Sequence, residues 1–267
     1  MINSFMKIYG DKMPGVKKSI YDFMTEKKRL ATPEEVSHVF SQAGINIPSE
    51  QILVKRIDIY RIVERTAKRF NAPVPTIMIT KNPKPNAAAT GVSKHLATML
   101  ITVGLLIQLD EREIELVVGH EMSHLRFGDP AILFSIFSIE YLARVYVYYS
   151  SIAPIWPLYI FFIFYMIFFV GKFLEARADL EAAYILRDPK TMATSLKKIG
   201  FRRLILDEGF IEGKESTLEN WFAFDPHPPI GYRIRRLESL DLNDVPKHPF
   251  LRSVSDALRG IRKAMAK

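Results

Sequence analysis

Hydrophobic and polar residues follow the spacing of amphipathic helices along most of this chain. Thr32-Pro-Glu-Glu35 combines an N-cap, a proline at the first helical position and a capping-box glutamate, so a helix should begin there and end near Gly44. Residues 50–71 show the pattern of a second, longer helix. Asp188-Pro189 predicts the start of another helix, which should end at Gly200.

Three short segments depart from the helical pattern and predict a small sheet. Thr76-Ile-Met-Ile-Thr80 has the composition of a strand, and further strands are expected near residues 87–91 and 97–102. Leu251 to Met265 forms an amphipathic helix that should pack on the core, or alternatively lie on a membrane surface. The predicted fold class is therefore mainly α with a small β-sheet, an α+β protein.

A long apolar region covers residues 131–171. Its second part, residues 155–171, has no charged residue, and about seventeen residues is the lower limit for a helix that spans a bilayer. Its first part, residues 131–151, carries Glu140 and Arg144, each of which costs about 3 kcal/mol at mid-bilayer. Because these two residues are one helical turn apart, they can face the neighbouring helix. We predict a transmembrane helical hairpin; the alternative is a pair of buried core helices.

Charge predicts how such a hairpin would be oriented. Both flanking portions of the chain would lie on one side of the membrane, and they hold nearly all of the Lys and Arg residues, which stay in the cytoplasm. The first residues of the chain lack the apolar core of a signal peptide. We therefore expect a multi-pass protein of the cell membrane with its remaining mass in the cytoplasm.

Composition narrows the possible functions. The 267-residue chain has a net charge of +8, but its basic clusters, Lys27-Lys-Arg29 and Arg233-Ile-Arg-Arg236, belong to no nucleic-acid motif. We expect the lipid bilayer as a partner and no nucleic acid. The absence of cysteine excludes disulfides and thiol catalysis. The length allows two domains, predicted as a helical N-terminal module at 1–50 and a second domain at 51–267 that contains the hairpin.

The strongest chemical signal is His120-Glu121-Met122-Ser123-His124. Positions i and i+4 share a helical face, so His120 and His124 can bind one metal ion with Glu121 beside the open coordination position. Asp110 and Glu113 form a capping box that places this motif inside a helix. This is the arrangement of zinc proteases, although a surface helix can carry the same residues by chance.

A catalytic zinc ion takes three protein ligands and leaves one position for water. Glu175 is the predicted third ligand, and Asp179, one helical turn later, could accept a hydrogen bond from a ligating imidazole. Glu181 is the nearest rival as third ligand, but no comparable carboxylate follows it one turn later. A solvated acidic helix face remains the alternative for this segment.

These motifs together resemble one peptidase family. The HExxH motif followed by Glu175-Ala-Arg-Ala-Asp179 is similar to the membrane-associated gluzincins, which include HtpX and the eukaryotic CAAX prenyl endopeptidase. Asn86-Ala-Ala-Ala-Thr-Gly91 resembles the edge-strand motif of that family, and residues 102–111 resemble the HtpX lead-in to the catalytic helix. Residues 225–233 resemble its His-Pro-Pro segment with a following arginine. The likeness covers about residues 57–240 and is to HtpX in particular.

The resemblance implies a role for individual residues. It implies a zincin-like metalloprotease core, interrupted by the hairpin, with one zinc ion per chain. The implied zinc ligands are His120, His124 and Glu175. Glu121 would be the general base, and His227 and Arg233 would stabilise the oxyanion. The strand of Asn86, Ala87, Ala88 and Ala89 would bind an extended polypeptide substrate by strand addition.

The chain also departs from the family pattern. HtpX begins with two hydrophobic helices, whereas residues 1–56 contain no segment apolar enough to span a membrane. The chain lacks the extra spans of the CAAX prenyl endopeptidase, so a prenyl-protein protease is the less favoured function. The favoured function is HtpX-like hydrolysis of misfolded or membrane-delivered proteins. The alternative of another class is a non-catalytic membrane adaptor that keeps the fold.

Overall fold

A computed structural model describes residues 8–148, 156–206 and 218–266; for 147–148 and 201–206 it describes the backbone only. The chain divides into two compact units, Met1–Ile57 and Asp58–Lys267. The predicted boundary after residue 50 lies within the first unit. The metal-ligand candidates and the apolar region all belong to the second unit.

The described part of the first unit is helical. Helix α1 spans Met13–Lys27 and α2 spans Pro33–Gln42. The predicted capping box is confirmed, because the Thr32 hydroxyl accepts a hydrogen bond from the Glu35 backbone N–H while the Glu35 carboxylate accepts one from the Thr32 N–H. The predicted end of α2 near Gly44 is also confirmed, since Gly44 adopts φ of 72° just after the helix.

The prediction of one helix over residues 50–71 is wrong in its first half. A short 3-10 turn covers Ser49–Gln51, residues 52–58 are not helical, and α3 spans only Ile59–Arg69. Helix α3 begins where a cap is available, because the Asp58 carboxylate accepts a hydrogen bond of 3.0 Å from the Arg61 backbone N–H. Apolar periodicity alone did not locate that cap.

The three predicted strands are confirmed and form one sheet. Strands β1 (Thr76–Thr80), β2 (Ala87–Ser93) and β3 (Leu96–Thr102) lie in the order β1-β3-β2. The central strand β3 pairs in parallel with β1 and antiparallel with β2. Within the described residues β2 is therefore an edge strand, and it lies beside the helix that carries the HExxH motif.

The helix that carries the HExxH motif is α5, which spans Glu111–Phe127 and follows the short helix α4 (Val103–Gln108). The predicted capping box is present, with Asp110 accepting from the Glu113 N–H at 2.8 Å and Glu113 accepting from the Asp110 N–H at 3.0 Å. Most of α5 is buried, because α3 and two later helices pack around it. Gly128 ends α5 in the left-handed region, with φ of 72°.

The apolar region contributes two helical segments. Helix α6 spans Asp129–Ala143 and continues as a π-helical turn over Arg144–Tyr148, and α7 spans Trp156–Leu186. Of the turn predicted at Pro154-Ile-Trp-Pro157, the first two residues fall outside the described residues, whereas Trp156 and Pro157 already belong to α7. Of the described helices, α7 is the one long and apolar enough to span a membrane, and 11% of its most apolar window is buried.

The remaining helices cover the other side of α5 and α7. They are α8 (Pro189–Leu206), α9 (Leu218–Phe222), α10 (Ile230–Glu238) and α11 (Pro249–Met265). The amphipathic C-terminal segment packs on the core, since α11 lies against α7 and buries Ala257 and Ile261 beside Trp221.

The predicted end of α8 at Gly200 is wrong, because the helix continues to Leu206. Gly200 has a packing role instead. A Cβ atom at this position would lie 2.5 Å from Cδ1 of Ile230, so the missing side chain lets α10 approach α8.

Candidate metal centre

Helix α5 brings its two histidines to one point. His120 and His124 are one turn apart, and their Nε2 atoms are 3.2 Å from each other with the rings edge to face. Both imidazoles are largely buried. The HExxH spacing therefore produces two converging nitrogen ligands.

Glu175, on α7, supplies a third converging atom. Its Oε2 lies 3.3 Å from His120 Nε2, and its Oε1 lies 3.3 Å from His124 Nε2. One ligand atom from each of the three residues falls within 4.8 Å of the others. Glu181 does not join this group, because its carboxylate binds Ser123 and Arg126 instead.

The three residues fit a zinc ion. Ligand atoms about 2.05 Å from a tetrahedral ion lie about 3.3 Å apart, which matches the observed separations. Oε2 of Glu175 is buried and accepts no hydrogen bond within the described part of the chain, although a buried carboxylate oxygen normally has a partner. Two imidazoles and one carboxylate are also a donor set that zinc uses in catalytic sites.

A carboxylate and an arginine support His120 from behind. Asp179 Oδ1 lies 2.9 Å from His120 Nδ1, so Nε2 is the nitrogen left for a metal. Arg233, on α10, donates to both Asp179 oxygens, from Nε at 2.6 Å and from NH2 at 2.7 Å. Burial favours the neutral acid, but Arg233 and His120 hold the pKa of Asp179 well below its usual value.

His124 has an equivalent support that the sequence did not reveal. Asp129 Oδ2 lies 2.7 Å from His124 Nδ1, and Arg177 donates to both Asp129 oxygens at 2.6 and 3.1 Å. The Arg177 guanidinium also stacks 4.1 Å from the ring centre of Phe127. The available signal in the sequence was Gly128 directly before Asp129, because glycine commonly ends a helix, and Gly128 does end α5 in the left-handed conformation.

Carboxylates dominate the electrostatics of the site. Burial disfavours charge on His120, yet Glu175 and Asp179 raise the pKa of its imidazole to about 9. Burial opposes charge on His124 as well, yet Asp129 and Glu175 raise its pKa to about 10. The site is thus arranged to stabilise positive charge between the two imidazoles.

A cavity of about 110 Å³ opens beside these ligands. Glu121, His120 and Glu175 line it, so the carboxylate of the HExxH motif faces the space that a substrate would occupy. Asn86, just before β2, and Ala87, its first residue, line the same cavity. Ala88 and Ala89 do not line it, but continue along the edge strand.

His227 and Arg233 differ in how they reach this cavity, although both line it. His227 Nε2 lies 3.6 Å from Glu175 Oε2, and its Nδ1 lies 2.8 Å from Asp225 Oδ1. Arg233 NH2 lies 3.7 Å from Glu175 Oε2, but its hydrogen bonds go to Asp179. The cavity also has an apolar part, which the sequence analysis did not predict. It is lined by Val117, Met192, Leu196, Ile199 and Ile230.

Comparison with known proteins agrees with this geometry. Residues 54–241 match the model of peptidase family M48. Protease HtpX of Idiomarina loihiensis is 27% identical over 205 residues, which cover 67% of this chain and 71% of that protein. A protease HtpX homolog of Caldanaerobacter subterraneus subsp. tengcongensis is 30% identical over 218 residues, covering 69% of this chain and 72% of the homolog. The chain belongs to peptidase family M48.

Proposed function

We propose that this protein is a membrane-associated zinc endopeptidase that hydrolyses misfolded or membrane-delivered polypeptides, as HtpX-like quality control requires. The observation that carries the proposal is the convergence of His120, His124 and Glu175 at separations of 3.2 to 3.3 Å beside the Glu121 carboxylate. One zinc ion held by these three ligands would activate water and polarise the substrate carbonyl when bound. Family membership supports the same reaction class.

The chain's own residues have distinct tasks in this reaction. Glu121 accepts a proton from the attacking water and then donates it to the leaving amine. His227, with Nδ1 held by Asp225, turns Nε2 toward Glu175. As an imidazolium, which carries a hydrogen on both nitrogens, it can donate from Nε2 to the carbonyl oxygen as that oxygen becomes negative. Arg233 contributes through Asp179, which orients His120.

The substrate would bind in an extended conformation along β2. This strand is an edge strand of the described sheet, its side chains up to Ala89 are small, and its first residue lines the cavity together with the preceding Asn86. Backbone hydrogen bonds to such an edge hold a peptide with little dependence on its sequence. Broad specificity of this kind suits the hydrolysis of unfolded chains.

The contacts between α6 and α7 support the membrane hairpin. Arg144 Nε lies 3.1 Å from Glu140 Oε1, and the Arg144 guanidinium lies 5.3 Å from the ring centre of Trp156 at the start of α7. Phe137 and Phe164 also meet across the two helices, with 6.0 Å between ring centres. The charged pair is thereby directed at the partner helix, which lowers the cost of placing it in lipid.

The hairpin would keep the metal centre close to the cytoplasmic face of the membrane. Glu175 follows the last residue of the apolar segment, Gly171, along the same helix. At 1.5 Å per residue that ligand lies roughly 6 Å beyond the apolar segment. Substrates that emerge from the bilayer would therefore reach the site directly.

The test is hydrolysis of casein by the full chain in detergent or lipid, combined with elemental analysis of the same sample. Glu121→Gln should keep zinc and lose about 10²- to 10⁴-fold in rate, because only the proton acceptor is removed. His120→Ala should lose zinc as well. Glu111→Gln, on the exposed first turn of the same helix, is the matched control and should remain active.

Two outcomes would contradict the proposal. Wild-type protein that binds zinc stoichiometrically but cleaves neither casein nor unfolded membrane proteins would favour the non-catalytic adaptor. A fully active Glu121→Gln protein would remove this residue from the mechanism.

A further inference from the structure

Lys172 is a buried cation that the reaction described above does not use. It lies on α7 just after the apolar segment and three residues before the metal ligand Glu175. Only 2% of its surface is exposed, although a lysine is rarely buried so completely without a specific partner. Among the described residues, no carboxylate lies within salt-bridge distance of its ammonium group. Its hydrogen-bond partners there are neutral groups.

Those partners are backbone carbonyls of one short loop. Lys172 Nζ donates hydrogen bonds to the carbonyl oxygens of Ala223 and His227, both at 3.3 Å, and to that of Asp225. An ammonium group has three N–H donors, so its hydrogen-bonding capacity is used completely. We call residues 223–227 the His227 loop.

The same helix contacts the His227 loop at a second point. A Cβ atom at Gly171 would lie 3.1 Å from Cβ of Pro226, so the loop packs directly on the helix backbone. Within the loop, Asp225 Oδ1 accepts a hydrogen bond from the His227 backbone N–H at 2.8 Å and lies 2.8 Å from the ring Nδ1. The ring of His227 therefore has a fixed orientation relative to the loop carbonyls that Lys172 binds.

We infer that Lys172 is a positioning residue that holds the His227 loop against α7 so that His227 Nε2 faces the cavity. Three carbonyl oxygens that point at one spot repel each other unless a cation lies between them. Removing the ammonium group would let them separate, and His227 would move with them. Because Lys172 and Glu175 are neighbours on one helical turn, this contact sets the distance between His227 and the metal ligands.

This inference rests on the role proposed for His227, and a double-mutant cycle tests it. Lys172→Met keeps the length of the side chain and removes all three donors. We expect kcat on a peptide substrate to fall about tenfold or more, with KM and zinc content unchanged, since loss of one oxyanion donor costs about 10²- to 10³-fold. Lys190→Met, an exposed lysine on α8, is the matched control.

The decisive variant is Lys172→Met combined with His227→Ala. If Lys172 acts only through His227, the double variant should be no slower than His227→Ala alone, within about twofold. Rates that fall multiplicatively would overturn the inference and show that Lys172 acts elsewhere. A fully active His227→Ala enzyme would remove the role of both residues and leave the peptidase function standing.

Hydrogen exchange gives a readout that does not need activity. Lys172→Met should accelerate exchange in a peptide that covers residues 218–230, while Lys190→Met should not. Unchanged exchange in this peptide would contradict the inference about Lys172. An inactive wild-type protein would instead contradict the proposed function, and the exchange experiment would still test Lys172.

A second variant is available if Lys172→Met does not fold. Gly171→Ala displaces Pro226 by a few tenths of an ångström and should show the same non-additivity with His227→Ala.

Discussion

Each imidazole of the metal centre has its own carboxylate and its own arginine. The two sets are His120, Asp179 and Arg233, and His124, Asp129 and Arg177. In both sets the carboxylate contacts Nδ1, which leaves Nε2 for the metal. Each arginine donates hydrogen bonds to both oxygens of its carboxylate, which holds that carboxylate against the imidazole and fixes the ring orientation before any metal binds.

The second set gives a prediction for metal affinity. Asp129→Asn should weaken zinc binding about 10- to 100-fold, because the amide supports the imidazole less well and leaves Arg177 without its buried partner. Competition with a chromophoric chelator measures this directly. Asp22→Asn, an exposed carboxylate of the first unit, should bind zinc like the wild type. Equal affinity of both variants would show that Asp129 does not support the ligand.

The part of this site that the sequence could predict is the part that depends on short-range spacing along the chain. The i, i+4 rule and the capping box of Asp110 were enough to place His120 and His124 together on a buried helix. Asp129 and Arg177 could not be found in this way, because Asp129 begins α6 and pairs with Arg177 on α7 across 48 residues of sequence rather than through any local repeat. The hydrogen bonds of Arg233 to Asp179 are a tertiary feature of the same kind.

At the scale of elements, hydrophobic periodicity failed to predict two helix ends, and in both cases a cap or a glycine explains the difference. The predicted helix over 50–71 begins only at Ile59, because Asp58 supplies the cap. The predicted stop at Gly200 did not occur, because that glycine accommodates Ile230 rather than ending α8. The strands were predicted well, since alternation and composition are properties of each strand by itself.

Gly104, in the lead-in to α5, gives a prediction for stability. Its N–H donates to the Asn82 carbonyl at 3.0 Å, and an added Cβ would lie 2.1 Å from the carbonyl oxygen of Pro83. Backbone atoms cannot move aside as a flexible side chain does, so Gly104→Ala should destabilise the protein by about 1–3 kcal/mol. Thermal unfolding in detergent should show the loss as a lower Tm.

The control for this substitution is Gly15→Ala. Gly15 lies within α1, and an added Cβ would have no atom within 4 Å. Alanine should therefore be neutral or stabilise by about 0.5–1 kcal/mol, because it lowers the entropy cost of forming a helix. A Gly104→Ala protein as stable as Gly15→Ala would mean that the Pro83 contact relaxes without cost.

At the scale of the whole molecule, one helix joins membrane attachment to chemistry. Helix α7 begins with exposed apolar side chains, and its second half carries Glu175, which is partly buried, and Arg177 and Asp179, which are buried around the metal centre. Lys172 lies at the transition between the two halves. If α7 spans the bilayer as proposed, a change in its position there would reach the metal ligand and the His227 loop without an intermediate element.

The hairpin gives a prediction about topology that this chain makes easy to test. Because the sequence has no cysteine, single cysteines can be introduced without first removing others. In right-side-out vesicles, a membrane-impermeant maleimide should label Ser151→Cys, at the predicted outer end of the first hairpin helix. It should label Lys94→Cys, between β2 and β3, only after the membrane is opened. Both positions are polar in the native chain, so neither substitution removes an apolar side chain.

The physical reason for this expected pattern is the cost of moving the charged protein mass across a bilayer, which in the proposed topology would keep the metal centre on the cytoplasmic side. Labelling of both cysteines only after lysis, with the protein resistant to extraction by high salt, would indicate helices that enter the membrane without crossing it. Recovery of the full chain in the soluble fraction after lysis in high salt would contradict the membrane assignment, and α6 and α7 would then need a protein partner to cover their exposed apolar faces.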